Sequence, residues 1–300
     1  MNGLDVRNDR CEHLVVGRAE RLVAALALDH PCHLPLLLRC RSSRAYRPPI
    51  VPDAEAPRAW ICGSVVLERA GRRIELPTGQ LRTLFAFLAA DRHHAHAREE
   101  LIDVLWPEDP PEAADGSLSA LLSRLRRAVG DDVIIGRSEL RLALPFDAWV
   151  DFEVAREALD RATGSLAAGD AMVALPASHV AAVIASRPFL TGLHGPWPDG
   201  MRSRLEEMYL RAHECSAEAG LRVGGGELAT AERSAQVLME RAPYRESGYR
   251  FAMAALAARG NHAEALTVYQ RCRETLRDEL GVDPGPEIQA LYVEVLRAAG

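Results

Sequence analysis

Gly116–Gly130 reads GSLSALLSRLRRAVG, and this stretch decides the fold. Leu118, Leu121, Leu122, Leu125 and Val129 recur at helical spacing, which predicts one amphipathic helix with a single buried stripe. Ser117, Ala120, Ser123, Arg124 and Arg127 fall on the opposite face, with Arg126 at its flank. Small residues let a helix approach a groove floor closely, and guanidinium groups hold guanine edges or phosphates. The pattern therefore suits a helix laid in the major groove of DNA. Taken alone, it fits an ordinary surface helix with three solvated arginines better. Its neighbours change that balance.

On the N-terminal side, Ile61 to Leu67 predicts a strand, Ala70-Gly71 a turn, and Arg73 to Leu76 a returning strand. Thr78 is placed to cap a helix from Gly79 to Arg92 whose buried stripe is Leu81, Leu84, Phe85 and Leu88. A second helix fits Arg98 to Trp106, with Leu101, Ile102, Leu105 and Trp106 inside. Pro107, Pro110 and Pro111 then force a loop before the arginine helix. Beyond that helix, Asp131 to Pro145 alternates as two short strands around Gly136-Arg137-Ser138. The order is that of a winged helix-turn-helix behind a small N-terminal sheet, over residues 58–146.

After Phe146 the chain reads as nearly all helix. A helix holding Val154, Ala155, Ala158 and Leu159 follows Asp147 and Asp151, and Leu166 to Asp170 is a break. Ser178 to Ser186 continues the array, and Pro188 to Pro198 is a longer connection. Further helices fit Asp199–Val223, Glu227–Arg241, Tyr244–Arg259, His262–Leu280 and Pro286–Ala298. The breaks at Gly224-Gly225-Gly226 and Gly260-Asn261 open similar units about 35 residues apart, near the tetratricopeptide period. Such helical pairs commonly build a concave protein-binding surface. The expected fold is mainly α: a winged helix with a small sheet and a wing hairpin, then an all-α tetratricopeptide-like domain over 147–300.

Three hundred residues allow about two domains plus tails. Residues 1–57 read as an extension, with an amphipathic helix over 14–28 and a Pro/Arg/Ser-rich linker over 41–57; a translation start assigned too far upstream is the other reading. The formal net charge of −6 means that any nucleic-acid surface must be local. All 36 basic residues other than histidine are arginine, which excludes a P-loop, since that motif needs its lysine. The cysteines at 11, 32, 40, 62, 215 and 272 form no C-x-x-C pair, so neither a zinc site nor a disulfide framework is indicated. Reduced thiols in a cytoplasm are the simplest reading. Arg18, Glu20 and Arg21 interrupt the apolar run over 14–28, which argues against a membrane span or a cleaved leader. His93, His94 and His96 lack the carboxylate or cysteine spacing of a metal site and read as a solvated turn. No Ser/His/Asp, paired-carboxylate or glycine-rich phosphate pattern stands in a supporting context, so no enzyme activity and no cofactor are expected.

Both halves together resemble the Streptomyces antibiotic regulatory protein family. In the first half the resemblance rests on Gly63 to Leu76, Leu81 to Ala89, Glu100-Leu101-Ile102-Asp103-Val104-Leu105-Trp106, and Ser123-Arg124-Leu125-Arg126-Arg127, which look like an OmpR-type winged helix. In the second half it rests on Glu264-Ala265-Leu266 with Tyr269, Arg273 and Leu276. Glu279 to Pro286, Leu291 and Leu296 complete a pattern similar to a bacterial transcriptional activator domain. The likeness covers about residues 58 to 298. Each motif is moderately specific; their joint order in one chain is highly specific.

The resemblance implies a cytoplasmic, nucleoid-associated activator of secondary-metabolite genes. It would bind direct repeats in promoter DNA as a head-to-tail pair, contact RNA polymerase holoenzyme and its sigma factor, and need neither cofactor nor membrane. Ser117, Ala120, Ser123 and Arg124 would face the major groove, while Arg126 and Arg127 would take phosphates or base edges. Arg137 is the minor-groove candidate of the wing. Leu140 stands where the family has an aromatic, the neighbouring arginine is shifted by one, and Glu139 would face phosphate; weakened wing contacts and a plain structural turn both fit. Trp106 either donates its indole N–H to a phosphate or anchors the core. The loop over 107–116 carries Glu108, Asp109, Glu112 and Asp115. Phosphate would repel it, so it either turns toward a basic sigma surface or is simply solvated. The rival function is a helical-repeat interaction or ligand-sensing protein with weak or lost DNA binding, which a steep salt dependence of DNA affinity would count against.

Overall fold

A computed structural model describes residues 56–299, Thr78 excepted. The helix expected over 14–28, all but the last two residues of the linker, the Thr78 cap and the first three cysteines lie outside the described residues.

Strand β1 (Arg58–Trp60) runs antiparallel to β2 (Val66–Arg69), which turns into β3 (Arg72–Glu75). The turn is Ala70-Gly71, with φ of 50° and 71°. Two successive positive φ values give the mirror-type turn that matches the twist of a two-stranded ribbon. The strand expected across Ile61–Leu67 is split. Residues 61–65 form a loop instead, because Ile61 and Cys62 donate their N–H groups to the Asp151 carboxylate, both at 3.0 Å. The run looks strand-like because Ile61, Cys62, Val65, Val66 and Leu67 are all buried, but burial here comes from packing as well as from pairing.

Helix α1 (Gln80–Ala90), strand β4 (His96–Ala97), helix α2 (Arg98–Leu105) and helix α3 (Ala114–Val129) follow. Strands β5 (Ile134–Ile135) and β6 (Glu139–Leu142) make the wing, and β6 also pairs with β4, giving the order β4-β6-β5. Strand β7 (Trp149–Val150) returns to lie parallel to β1 and completes a sheet of order β3-β2-β1-β7. The N-terminal sheet thus extends past Phe146, where the sequence reading ended the first unit. A two-residue strand is too short to show a period.

The helical part comprises α4 (Asp151–Ala167), α5 (Ala171–Ala185), α6 (Pro196–Val223), α7 (Leu228–Arg241), α8 (Glu246–Ala258), α9 (His262–Leu280) and α10 (Pro286–Ala299). Two starts differ from expectation. Helix α5 runs through Pro176; Asp170 caps it by accepting the Val173 N–H at 3.2 Å, and Ala174, Leu175, Ala177 and Ser178 are buried around the proline. Buried flanks offset the one ladder bond that proline removes. Helix α6 begins at Pro196, not Asp199. Prolines in a first turn lose nothing, since those N–H groups have no partner in the helix.

One hydrophobic core joins the winged helix to α4, α5 and α6: Phe85, Leu101, Leu118 and Leu125 share it with Phe152, Leu159, Ile184 and Leu205. Trp197 stacks edge-on against Phe87 at 5.2 Å, and buried Arg92 forks onto Glu153 at 2.9 and 3.0 Å. A second core lies among α6 to α10, with Tyr249, Phe251, Tyr269 and Leu276 inside it. There α8 crosses α7 closely. A Cβ on Gly248 would sit 2.9 Å from Leu238 Cβ and 3.0 Å from Met239 N. Gly248→Ala is expected to lower stability by about 1–3 kcal/mol by forcing the two helices apart; an unchanged urea midpoint would mean that the crossing has slack.

Candidate nucleic-acid interface

Helix α3 buries Leu118, Leu121, Leu122, Leu125 and Val129 and turns Ala120, Ser123, Arg124 and Arg127 outward. Ser117 is half-buried at the edge of that face. The stripe predicted from spacing is the stripe observed, because one apolar face must meet the core formed by α1 and α2. Asp115 stands in the first turn, and Arg126 and Arg127 in the last, each on the side that complements the helix dipole.

The arginines around α3 divide into two groups. Arg124, Arg127 and Arg137 are exposed and make no side-chain hydrogen bond or ion pair among the described residues. Arg126 is half-buried and differently employed. Its Nε donates to the Ile134 carbonyl at 3.1 Å and its Nη2 to the Gly136 carbonyl at 3.0 Å. The flank position noted in the sequence thus turns this guanidinium onto the wing backbone. Arg69 likewise forks onto Asp132 at 2.8 and 2.5 Å, tying the β2–β3 hairpin to the entrance of the wing. That contact holds the Asp132 carboxyl below its usual range and raises Arg69.

The wing tip is Gly136-Arg137-Ser138. Gly136 has φ of 102°, and a Cβ there would fall 1.8 Å from the Glu139 carbonyl oxygen, so only glycine fits. Leu140 and Leu142 point into the core while Glu139 and Arg141 point outward. Leu140, fully buried, fills the place where an aromatic was expected. Glu139 is exposed on the wing beside Arg137 and so lowers the positive potential there.

Trp106 ends α2, donates its backbone N–H to the Ile102 carbonyl at 2.8 Å, and packs its half-buried ring against the core. Glu108, Asp109 and Glu112 are exposed on the loop between α2 and α3. Asp115 is not in that loop. It lies on α3, where Arg98 Nε reaches its Oδ1 at 2.5 Å. The histidines do not form a uniform solvated turn. His94 is exposed and raised by Asp91, whereas His96 is buried between Glu100 Oε2 at 3.1 Å and the Asp91 carbonyl at 3.3 Å, edge-on to Phe87. No cluster of metal-type ligands occurs among the described residues. Nor is any described helix long and apolar enough to cross a membrane.

Sequence reasoning missed Arg98 and Asp151. Both make contacts with residues far away in the chain, and no local period marks them. Asp151 is fully buried at the head of α4, accepting N–H bonds from Ile61, Cys62 and Phe152. Burial pushes its carboxyl up to about 6.

Residues 150–296 match the family described as bacterial transcriptional activator domain. The chain is 32% identical over 260 residues to regulatory protein AfsR of Streptomyces griseus, an overlap covering 87% of this chain and 26% of AfsR. It is 28% identical over 253 residues to transcriptional regulatory protein EmbR of Mycobacterium tuberculosis, covering 79% and 62% of the two chains. The solved structure of Mycobacterium tuberculosis EmbR in complex with a low affinity phosphopeptide is similar at a TM-score of 0.71 and 25% identity, over 81% of this chain and 65% of that one. The chain spans about a quarter of the length of AfsR and less than two thirds of EmbR.

Proposed function

Because this chain belongs to the Streptomyces antibiotic regulatory protein family of transcriptional regulators, we propose that it is a promoter-binding activator of a secondary-metabolite gene cluster. In this reading α3 enters the major groove. Arg124 reads a base edge, Arg127 holds a neighbouring phosphate, and Ala120 and Ser123 permit close approach. Arg137 reaches the adjacent minor groove from the wing. Two copies bind direct repeats head to tail in the cytoplasm, and Glu108, Asp109 and Glu112 face a basic surface of the polymerase holoenzyme. The protein acts without a cofactor and without catalysis.

The observation that carries this reading is the pairing pattern of the arginines. In a chain of net charge −6, Arg124 and Arg127 stand free on one exposed face of a helix whose other face is core, while nearby Arg69, Arg98 and Arg126 are engaged. Free guanidinium groups on small-residue background are what a groove-reading helix needs.

The test is a genome-wide DNA pull-down with the full chain, with the Arg124→Ala/Arg127→Ala double variant as control. Enrichment of a direct-repeat motif beside one biosynthetic cluster is expected for the parent. The variant should lose it, with affinity down about 100-fold for one base-edge and one phosphate contact and a shallower salt dependence. Equal enrichment by parent and variant would overturn the reading and favour a helical-repeat interaction protein.

A further inference from the structure

We propose that Arg98 is a positioning residue for the wing, and that it sets the preference for the sequence flanking the site read by α3. The inference rests on the DNA-binding reading above.

The wing cannot hold its own tip. Strands β5 and β6 share two residue pairs, Ile134 with Leu142 and Ile135 with Arg141. So short a ladder is marginal in water without outside support. Strand β6 is supported by its pairing with β4 and by the burial of Leu140 and Leu142, but the tip itself is held by two arginines on two other elements. Arg126 of α3 takes the carbonyls of Ile134 and Gly136. Arg98, the first residue of α2, takes the next one: its Nη1 donates to the Arg137 carbonyl at 3.4 Å.

Arg98 is itself fixed by α3. Its Nε donates to Asp115 Oδ1 at 2.5 Å, and its Nη2 donates to the Asp115 carbonyl at 3.0 Å and to Ser119 Oγ at 2.8 Å. Ser119 Oγ donates in turn to the Asp115 carbonyl at 2.9 Å. The Arg98 side chain is 19% exposed, so most of it is withdrawn from solvent. One planar fork therefore ties the start of the groove helix to the backbone of Arg137. Lysine offers a single ammonium and cannot reproduce the fork.

The consequence concerns selectivity. An arginine that enters a minor groove discriminates by groove width, which narrows in A·T-rich tracts. That discrimination needs the tip at a set distance from α3. Arg98 supplies the distance without touching DNA, while Arg124 reads its bases independently.

The experiment is selection from a random duplex library with the full chain. The parent, Arg98→Ala, Arg98→Lys, Arg137→Ala, Arg98→Ala/Arg137→Ala and Arg124→Ala/Arg127→Ala are run in parallel. The parent should enrich one half-site with an A·T-rich flank on the wing side. Arg98→Ala and Arg98→Lys should enrich the same half-site with the flank preference gone, and bind the parent's sequence about tenfold more weakly, the order of one lost groove contact. In the Arg137→Ala background, adding Arg98→Ala should cost nothing further. A retained flank preference in Arg98→Ala, full rescue by lysine, or additive losses in the double variant would overturn the inference. Unselective binding by the parent would instead sink the DNA-binding reading. In that event amide exchange on free protein still decides whether the clamp exists: Arg98→Ala should speed exchange over 135–141 and leave α1 unchanged, and equal wing exchange would overturn it. Should Arg98→Ala fail to fold, Arg98→Gln serves in both assays, since it can reach Asp115 or Ser119 but not all three partners.

Discussion

Between pH 4 and pH 8 the parent chain is expected to lose about 3 kcal/mol of stability relative to an Asp151→Asn variant. Asp151 sits at the head of α4 with no exposure and receives three backbone N–H groups, from Ile61, Cys62 and Phe152. Those bonds favour the carboxylate, as does the nearby Arg187, yet burial outweighs them and raises the carboxyl to about 6 from 3.8. The folded chain therefore binds the proton more tightly than the unfolded one. Its stabilising effect is complete below about pH 4 and is lost as pH rises through 6. Asparagine carries no charge, so the variant lacks this dependence, and comparing the two chains cancels every other titrating group. Urea midpoints of both proteins across that range give the answer. A constant difference would mean that Asp151 ionises in the fold as it does in water. Asp151→Ala removes both acceptor oxygens and should fall about 2–3 kcal/mol below the asparagine variant at every pH, because buried amide donors are left without partners. The affected junction joins the β1–β2 loop to α4, so the seam between the winged helix and the helical part should open first.

Gly136→Ala is expected to cost about 3 kcal/mol or more. Two effects add. The backbone at φ of 102° disfavours any side chain, and the new Cβ would lie 1.8 Å from the Glu139 carbonyl oxygen, inside any tolerable contact. The neighbour is backbone in a tight turn, so it cannot yield as a flexible side chain would. The turn must be rebuilt, which displaces the Gly136 and Arg137 carbonyls from Arg126 and Arg98. Leu140 and Leu142 of the same hairpin are buried in the shared core, so the damage should reach global stability. Chemical denaturation, with amide exchange over β5 and β6, checks it. A variant within about 0.5 kcal/mol of the parent, the range of an ordinary surface change, would show that the wing accepts another turn.

The sequence was most legible where one face of an element meets the core. Leu118 to Val129 marked helix α3, its buried stripe and the face on which Arg124 and Arg127 lie, because helical spacing alone determines which side is apolar. Gly136 and the Ala70-Gly71 turn were readable for a related reason: local backbone geometry dictates residue type. The helical units that open after Gly224-Gly225-Gly226 and Gly260-Asn261 were legible from those breaks.

The tertiary structure alone decided the rest. Strand β7 is two residues long and exists only because β1 offers it an edge. Residues 61–65 leave the sheet because a carboxylate some ninety positions away takes two of their amides, with the Ile61 pair separated by 90. Arg124 and Arg126 are near neighbours of the same type on one helix, yet one points free and the other grips the wing, since the wing carbonyls lie beside only one of them. Residue identity and period settle what an element is and which side it buries. The partner of a long polar side chain is settled by what the fold brings within its reach, and no local pattern contains that information.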